Sequence, residues 1–253
     1  MRKLLTYRLS PCHGILAGAQ SAAVLTVVNN CNHMIWPALF GSNVALSTTG
    51  FALSPGESMV VQGPAGMSGR VWARTLCNVD PSTNTFACAT GDCGTGAVEC
   101  SGRTGAAPAT LVEFKLDGDG GKDFFDVSLV DGFNLPVEAL PQALAGGDNS
   151  GAKCEVTNCP VDLNNRCPPE LAMHDMSSGQ VVACKSACLA LGKDEYCCTG
   201  EYANPQICHE TPYSRVFKDA CPRAYSYAYD DATSTFTCAS GSTNYLITFC
   251  PGT

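Results

Sequence analysis

The sequence predicts a mainly β fold stapled by disulfides. Short apolar runs with alternating pattern recur between Gly, Ser and Pro, with 25 glycines and 15 prolines spread along the chain. Seventeen cysteines in 253 residues would be a liability in a reducing cytosol, whereas an oxidising compartment turns them into cross-links. The expectation is a secreted protein, extracellular (apoplast-like) or vacuolar. Its length suits one large domain or one with appendages. Net charge is −8 and pI about 4.9, with no Lys/Arg cluster, so nucleic acid and anionic membrane are poor partners. No apolar run approaches the roughly 20 residues that span a bilayer.

The N-terminus is an atypical leader. Arg2 and Lys3 suit a signal peptide, but Arg8, Pro11 and His13 interrupt the apolar region that should follow. Ala17 and Ala19, or Ala22 and Ala23, offer cleavage sites. Residues 1–23 are expected to be a leader or disordered, and their removal takes Cys12 and leaves sixteen cysteines, an even number.

Val24 to Val28 reads as a first strand, followed by the turn Asn29-Asn30-Cys31-Asn32. Trp36 to Phe40, Phe51 to Leu53 and Ser58 to Gln62 continue the short strands. In Gly69 to Thr75, Arg70, Trp72 and Arg74 share one face and Val71 and Ala73 the other. Arg74 is expected to be structural, stacked on the sheet; Arg70 is open to a ligand role. From Cys77 to Cys100 four cysteines crowd a glycine-rich stretch with too few large apolar residues to fold without local disulfides.

The stretch Leu111 to Pro136 carries the acids of greatest interest. Val112, Phe114 and Leu116 alternate with Glu113 and Lys115; after the DGDGG turn, Phe125, Val127 and Leu129 alternate with Asp126 and Ser128. Two antiparallel strands in the right register would bring Glu113 and Asp126 onto one face, with Asp131 at its edge. On pattern alone these are solvent-facing positions or the acids of a site.

Beyond Pro136 the strand pattern fades, and Ala145 to Gly151 reads as a link. Ten cysteines follow between Cys154 and Cys238. They are read as disulfides, because neither a Cys-x-x-Cys nor zinc-finger spacing of His174 and His209 is present; no metal or cofactor is expected. Gln180 to Leu191 has helical spacing of Val181, Cys184, Cys188 and Leu191, ended by Gly192. Thr211-Pro212 is a helix start, with Val216, Phe217 and Cys221 as the buried face. Tyr225, Tyr227 and Tyr229 form a stripe before Asp230-Asp231, either a sugar platform or sheet packing. Thr233 to Cys238 and Asn244 to Cys250 read as closing strands.

The segment Asn84 to Cys100, NTFACATGDCGTGAVEC, resembles the signature of the thaumatin-like proteins, the plant pathogenesis-related group five. It meets the pattern G-x-F-x-C-x-T-G-D-C-G-x5-C except that Asn84 replaces the first glycine, and Asn tolerates positive φ. TLVEFKLD, DFFDVSLVDGFNLP, EYCCTG and TPYSRVFKDACPRAYSY extend the resemblance from about Val24 to the C-terminus.

That resemblance implies a flattened antiparallel β-sandwich (24–76, 106–153 and 222–253), a small disulfide-bonded lobe (77–105) and a disulfide-rich, partly helical second domain (154–221), in a monomer. It implies the pairs Cys31–Cys250, Cys77–Cys88, Cys93–Cys100, Cys154–Cys238, Cys159–Cys221, Cys167–Cys184, Cys188–Cys197 and Cys198–Cys208. It also implies an acidic interdomain cleft formed by Arg70, Glu113, Asp126, Asp131 and Asp230. Arg223 stands where family members usually carry aspartate.

Three functions follow as expectations. The first is a defence protein that binds fungal-wall β-1,3-glucan in the cleft, where carboxylates accept from sugar hydroxyls and Phe133 or the tyrosines cover sugar faces. The second is an endo-β-1,3-glucanase with Glu113 as acid and Asp131 as base, which requires carboxyls about 5 to 5.5 Å apart for retention or 6.5 to 9.5 Å for inversion. The third is a protein ligand or inhibitor, whose acidic cleft docks a basic patch on a fungal surface protein or a foreign hydrolase.

Overall fold

The structure is a computed structural model and describes residues 21–145 and 153–252. Cys12, the leader up to residue 20 and the link beyond Ala145 lie outside the described residues. The strands are β1 Ser21–Asn29, β2 Trp36–Gly41, β3 Ser58–Pro64, β4 Ser68–Val79, β5 Phe86–Thr90, β6 Leu111–Gly118 and β7 Lys122–Ser128. They continue with β8 Val137–Ala143, β9 Thr157–Cys159, β10 Ala172–His174, β11 Val181–Cys184, β12 Phe236–Ala239 and β13 Thr243–Phe249. Four short helices are α1 Ala187–Leu191, α2 Asp194–Cys197, α3 Pro212–Ala220 and α4 Asp231–Ser234.

Two sheets form a sandwich. One has the order β3-β1-β13-β8-β9, the other β12-β7-β6-β4-β2. Alternation decides which face is buried: Leu25, Val27, Tyr245, Ile247 and Val137 from the first meet Val71, Val112, Phe114, Phe125 and Val127 from the second. Tyr245 lies at the centre, with its ring centroid 5.1 Å from those of Phe114 and Phe125. Its hydroxyl donates to Asp123 Oδ2 at 2.9 Å, and Asp117 N donates to Oδ1 at 2.9 Å. Burial nevertheless pushes the Asp123 carboxyl upward, against those hydrogen bonds.

β4 is long enough to serve two neighbourhoods. Residues 68–74 lie between β2 and β6, and Thr75 to Val79 pair with β5 in the small lobe. The lobe covers Trp72 and Arg74 completely. Arg74 donates from Nε to Trp36 O at 3.0 Å and from Nη2 to Val98 O at 2.7 Å, and lies over the Phe86 ring. Arg70, on the same strand face, is left open. Asn84 sits at φ 54, the conformation that the glycine of the family pattern would take.

The eight disulfides join Cys31–Cys250, Cys77–Cys88, Cys93–Cys100, Cys154–Cys238, Cys159–Cys221, Cys167–Cys184, Cys188–Cys197 and Cys198–Cys208, the pairing that the resemblance implies. The Cys31–Cys250 closure alone is worth roughly 5 kcal/mol by loop entropy.

Several element expectations change. β1 starts at Ser21 rather than Val24, and it pairs with β13 in parallel, the exception in an otherwise antiparallel sandwich. Phe51 to Leu53 is not a strand: it makes a single bridge, Ile35–Leu53, next to the bridge Ala38–Gly50 just before it. β8 arises where the strand pattern fades: its Ala and Pro residues have low strand propensity, but Val137 and Ala139 pack into the core, and Pro141 lies past the end of β9 pairing. Gln180 to Leu191 is not one helix. Val181 to Cys184 pairs with β10, and Ser186 then caps α1 by accepting from Leu189 N, with Gly192 ending it at φ 63. Thr233 belongs to α4, so the closing strand begins at Phe236. α3 starts at Thr211-Pro212 with a capping box, and Ser214 and Phe217, rather than Val216, are its buried residues.

Tyr245→Phe removes the donor to a buried carboxylate, which should cost about 1–3 kcal/mol at pH 7. Because the hydroxyl favours ionised Asp123, the loss should shrink as acid protonates that group. Thermal melts of both proteins at pH 7 and pH 4 check this.

Candidate functional site

Register places the polar side chains. On the outer face of the six-stranded sheet, Phe40 lies opposite Arg70, Arg70 opposite Glu113, and Glu113 opposite Asp126. Four neighbouring strands therefore contribute one row. Two residues along, Ser68, Lys115 and Phe124 form a second. Both rows follow from the two-residue repeat of strands whose other face is core.

Two open hollows meet over Arg70, Glu113 and Asp126. One, about 380 Å³, extends over Phe40, Ser42, Ser68, Lys115 and Phe124. The other, about 410 Å³, extends over Ser128, Asp131, Tyr225 and Asp231. The cleft is thus aromatic with one cation at one end and acidic at the other.

Arg70 ties the acids together. Its Nη2 lies 3.1 Å from Glu113 Oε1 and its Nη1 3.6 Å from Asp131 Oδ2. Asp131 stands at the tight turn after β7, where Gly132 has φ 92 and a Cβ would lie 2.5 Å from Cys184 O. Only glycine fits there, so the turn that presents Asp131 is docked on β11.

Arg70, Glu113, Asp126 and Asp131 come together in the cleft. Asp230 does not. Its carboxylate turns away to accept from Ser226 N at 3.0 Å and pairs with Lys218 Nζ at 2.9 Å, the side chains only 11% and 18% exposed. Lys218 also donates to Ala224 O at 3.1 Å and Ser234 Oγ at 3.0 Å. The neighbouring Asp231 lines the cleft and accepts from Tyr225 Oη at 2.8 Å. The chain turns into α4 at this point, so adjacent aspartates point in different directions. Phe133 is fully buried; the half-buried rings that line the hollow are Phe40 and Phe124. Phe124 could have been found by counting two residues along its strand from Asp126, whereas Phe40 is placed only by the pairing of β2 with Arg70. Of the tyrosine stripe, Tyr225 reaches the cleft. Arg223 pairs with Glu155 at 2.8 Å and lies over Phe236.

The sequence model of the Thaumatin family matches residues 29–251. The chain belongs to that family. It is 50% identical over 232 residues to "Thaumatin-like protein 1" of Prunus persica, covering 91% of each chain. It is 47% identical over 254 residues to a Prunus avium protein named "Glucan endo-1,3-beta-glucosidase", covering 99% of this chain and 100% of that one. Among solved structures, the laminaripentaose-producing β-1,3-glucanase in complex with laminaritetraose superposes with a TM-score of 0.55 at 12% identity, covering 90% of this chain and 98% of that one. At that identity the likeness is one of fold.

Within this thaumatin-family cleft the carboxyls differ in environment. Burial pushes Asp126 well above the ordinary aspartate range, the charges of Glu113 and Asp231 add to this, and Arg70 opposes it. Asp126 Oδ1 is enclosed and meets no hydrogen-bond donor among the described residues. Glu113 is also raised by burial and by Asp131, with Arg70 and Ser128 pulling the other way. Asp131 is 49% exposed. Among the described residues no cluster of three or more His, Cys, Asp or Glu is placed to hold a metal.

A raised folded-state pKa means that ionised Asp126 opposes folding above that pKa and that this opposition vanishes below the unfolded value of about 3.9. Asp126→Asn should therefore melt higher than the parent at pH 7.5, with each kcal/mol recovered raising Tm by about 2 to 4 °C. The two curves should converge toward pH 4 in a pH series of melting curves.

Proposed function

We propose that this thaumatin-family chain is a defence protein that binds β-1,3-glucan of fungal walls in the acidic cleft, and that it acts by binding more than by cleavage. The observation that supports this reading is the row Phe40, Arg70, Glu113, Asp126, over which two open hollows meet, so that its polar side chains line space a ligand could fill. Sugar hydroxyls supply donors, and hydrogen bonds to carboxylates are the strong kind. Phe40 and Phe124 offer apolar faces for pyranose rings at the end of the row. The relative from Prunus avium named for glucan endo-1,3-β-glucosidase activity supports the same polymer. Eight disulfides support an oxidising compartment, extracellular or vacuolar, as the place where the protein works.

Hydrolysis is the second reading, favoured by the spread of carboxyl environments. A glycosidase needs one acid held protonated beside one ionised. Asp126 fits the protonated role better than Glu113, which Arg70 holds at 3.1 Å; the hydrated Asp131 suits the base. Docking of a basic protein is the third reading.

Pull-down on insoluble β-1,3-glucan, with cellulose and chitin as controls, separates these readings. Binding should be selective for the glucan and change little between low and high salt, because the polymer is neutral. Glu113→Gln and Asp131→Asn should weaken it roughly ten- to hundredfold, the worth of a hydrogen bond to a charged group. A catalytic cleft would instead lose release of reducing sugar while binding survives. Steep salt dependence, or no change in either variant, would replace glucan with a protein partner.

Phe124→Ala tests the aromatic end separately. Its expected outcome is weaker retention on glucan with an unchanged melting temperature, because Phe124 lies on the outer face and leaves the core intact. Retention equal to the parent protein would place the ligand only at the acidic end.

A further inference from the structure

The chain contains three Asp-Gly steps, at 117–118, 119–120 and 131–132, and the fold treats them very differently. We infer that Asp119–Gly120, at the tip of the β6–β7 hairpin, is a site of spontaneous modification that converts aspartate to isoaspartate. The inference is independent of what the cleft binds.

Isomerisation begins when the backbone nitrogen of Gly120 attacks Cγ of Asp119. The new N–C bond forms as the carboxyl C–O bond breaks, and the amide proton leaves with the hydroxyl as water. Water then adds to one of the two carbonyls of the succinimide ring. Opening on the side-chain side restores aspartate, and opening on the backbone side leaves the chain running through the former side-chain carbon. The water lost is the water regained, so mass is unchanged and no other reactant enters.

The step needs a reachable carboxyl, a free amide and a backbone able to turn. The Asp119 side chain is 93% exposed, and its one ion pair, to Lys115 Nζ at 3.6 Å, is an exposed contact of little strength. Among the described residues nothing accepts a hydrogen bond from Gly120 N; the turn is closed instead by Gly121 N donating to Gly118 O at 3.2 Å. Gly120 and Gly121 have φ 70 and 67, and no atom lies within 4 Å of a Cβ built on either. Glycines flank Asp119 on both sides, so reorienting the peptide unit meets little steric resistance.

The other two steps lack these freedoms. At 117–118 the Asp117 N donates to the buried Asp123 and Gly118 pairs with Lys122 across the hairpin. At 131–132 the Gly132 N donates to Leu129 O at 2.9 Å, Gly132 is packed on Cys184 O, and Arg70 holds the Asp131 carboxylate. A protein stapled by eight disulfides persists long enough for slow chemistry at its one loose Asp-Gly turn to accumulate. The inserted backbone methylene would fall beside Lys115, the ion-pair partner of Asp119, and one residue past Gly118, which lies against the Phe124 ring, so the aromatic end of the cleft is where ageing would be felt.

The test uses the intact, oxidised full chain, incubated for weeks at mildly acidic pH and then digested. A second peptide of identical mass should appear for the segment containing Asp119 and grow with time. It should accept a labelled methyl group from S-adenosylmethionine in the presence of an isoaspartyl methyltransferase. Asp119→Ser should abolish that label, and Asp119→Asn should convert faster, with the mass change of deamidation. Label as high in Asp119→Ser as in the parent, or concentrated at Asp131, would overturn the assignment.

Discussion

The in-register pairing of β4, β6 and β7 is the constraint on which the cleft depends. A slip of one residue in any of these strands would exchange its two faces and drive Arg70, Glu113 or Asp126 into the sandwich. The register is held from the other side. Val71, Val112 and Val127 form the corresponding row on the inner face, and the rings of Phe114, Phe125 and Tyr245 lock it against the opposite sheet. The polar row is therefore fixed by the apolar one, and its acids need no contacts of their own to stay aligned.

Alignment brings like charges together, and Arg70 is the only cation in direct contact with the Glu113–Asp131 side among the described residues. It is bonded to two acids and, among the described residues, forms no ion pair with the third, Asp126. That asymmetry grades the carboxyls from hydrated Asp131 through Glu113 to enclosed Asp126. The second wall is built by a different device. Lys218 reaches from α3 to three acceptors on the segment 224–234, and this clasp sets the segment from which Tyr225 and Asp231 face the cleft. A buried pair of this kind loses much of its Coulomb gain to desolvation, but breaking it would leave one charge alone, which makes it a strong determinant of position.

Much of this arrangement is legible in the sequence. Alternation puts Glu113 and Asp126 each on the outward side of its strand, the β6–β7 register then brings them onto one face, and Thr211-Pro212 marks the start of α3. Arg70, Glu113, Asp126 and Asp131 were reached through motif resemblance, since periodicity alone cannot say which outward residues a neighbouring domain will cover. Where reading failed, tertiary context had overridden local signals. β8 is made by its neighbours in the sheet and not by its Ala, Leu and Pro residues. The helical spacing of Val181, Cys184, Cys188 and Leu191 also fits a strand followed by a capped turn, because those few positions are shared by both patterns. Asp230 and Asp231 are adjacent, and the change of direction at α4 decides which one faces the cleft.

The site carries groups that stability alone would not select. Asp126 is enclosed without a donor, Glu113 is raised by burial, and acids outnumber the arginine between them; filling the row with well-packed neutral side chains would relieve each of these. Such local unfavourable groups persist only where the surroundings over-determine them. Here the surroundings are the stacked core behind the row, the lobe that clamps the far half of β4, and disulfides that close both ends of the chain. A ligand that brought hydroxyl donors would meet the accessible carboxylates of Glu113 and Asp131 already held in line by Arg70, so little reorganisation would oppose binding. The rigidity supplied by the cross-links is thus what makes the unsatisfied acceptor beneath the cleft tolerable.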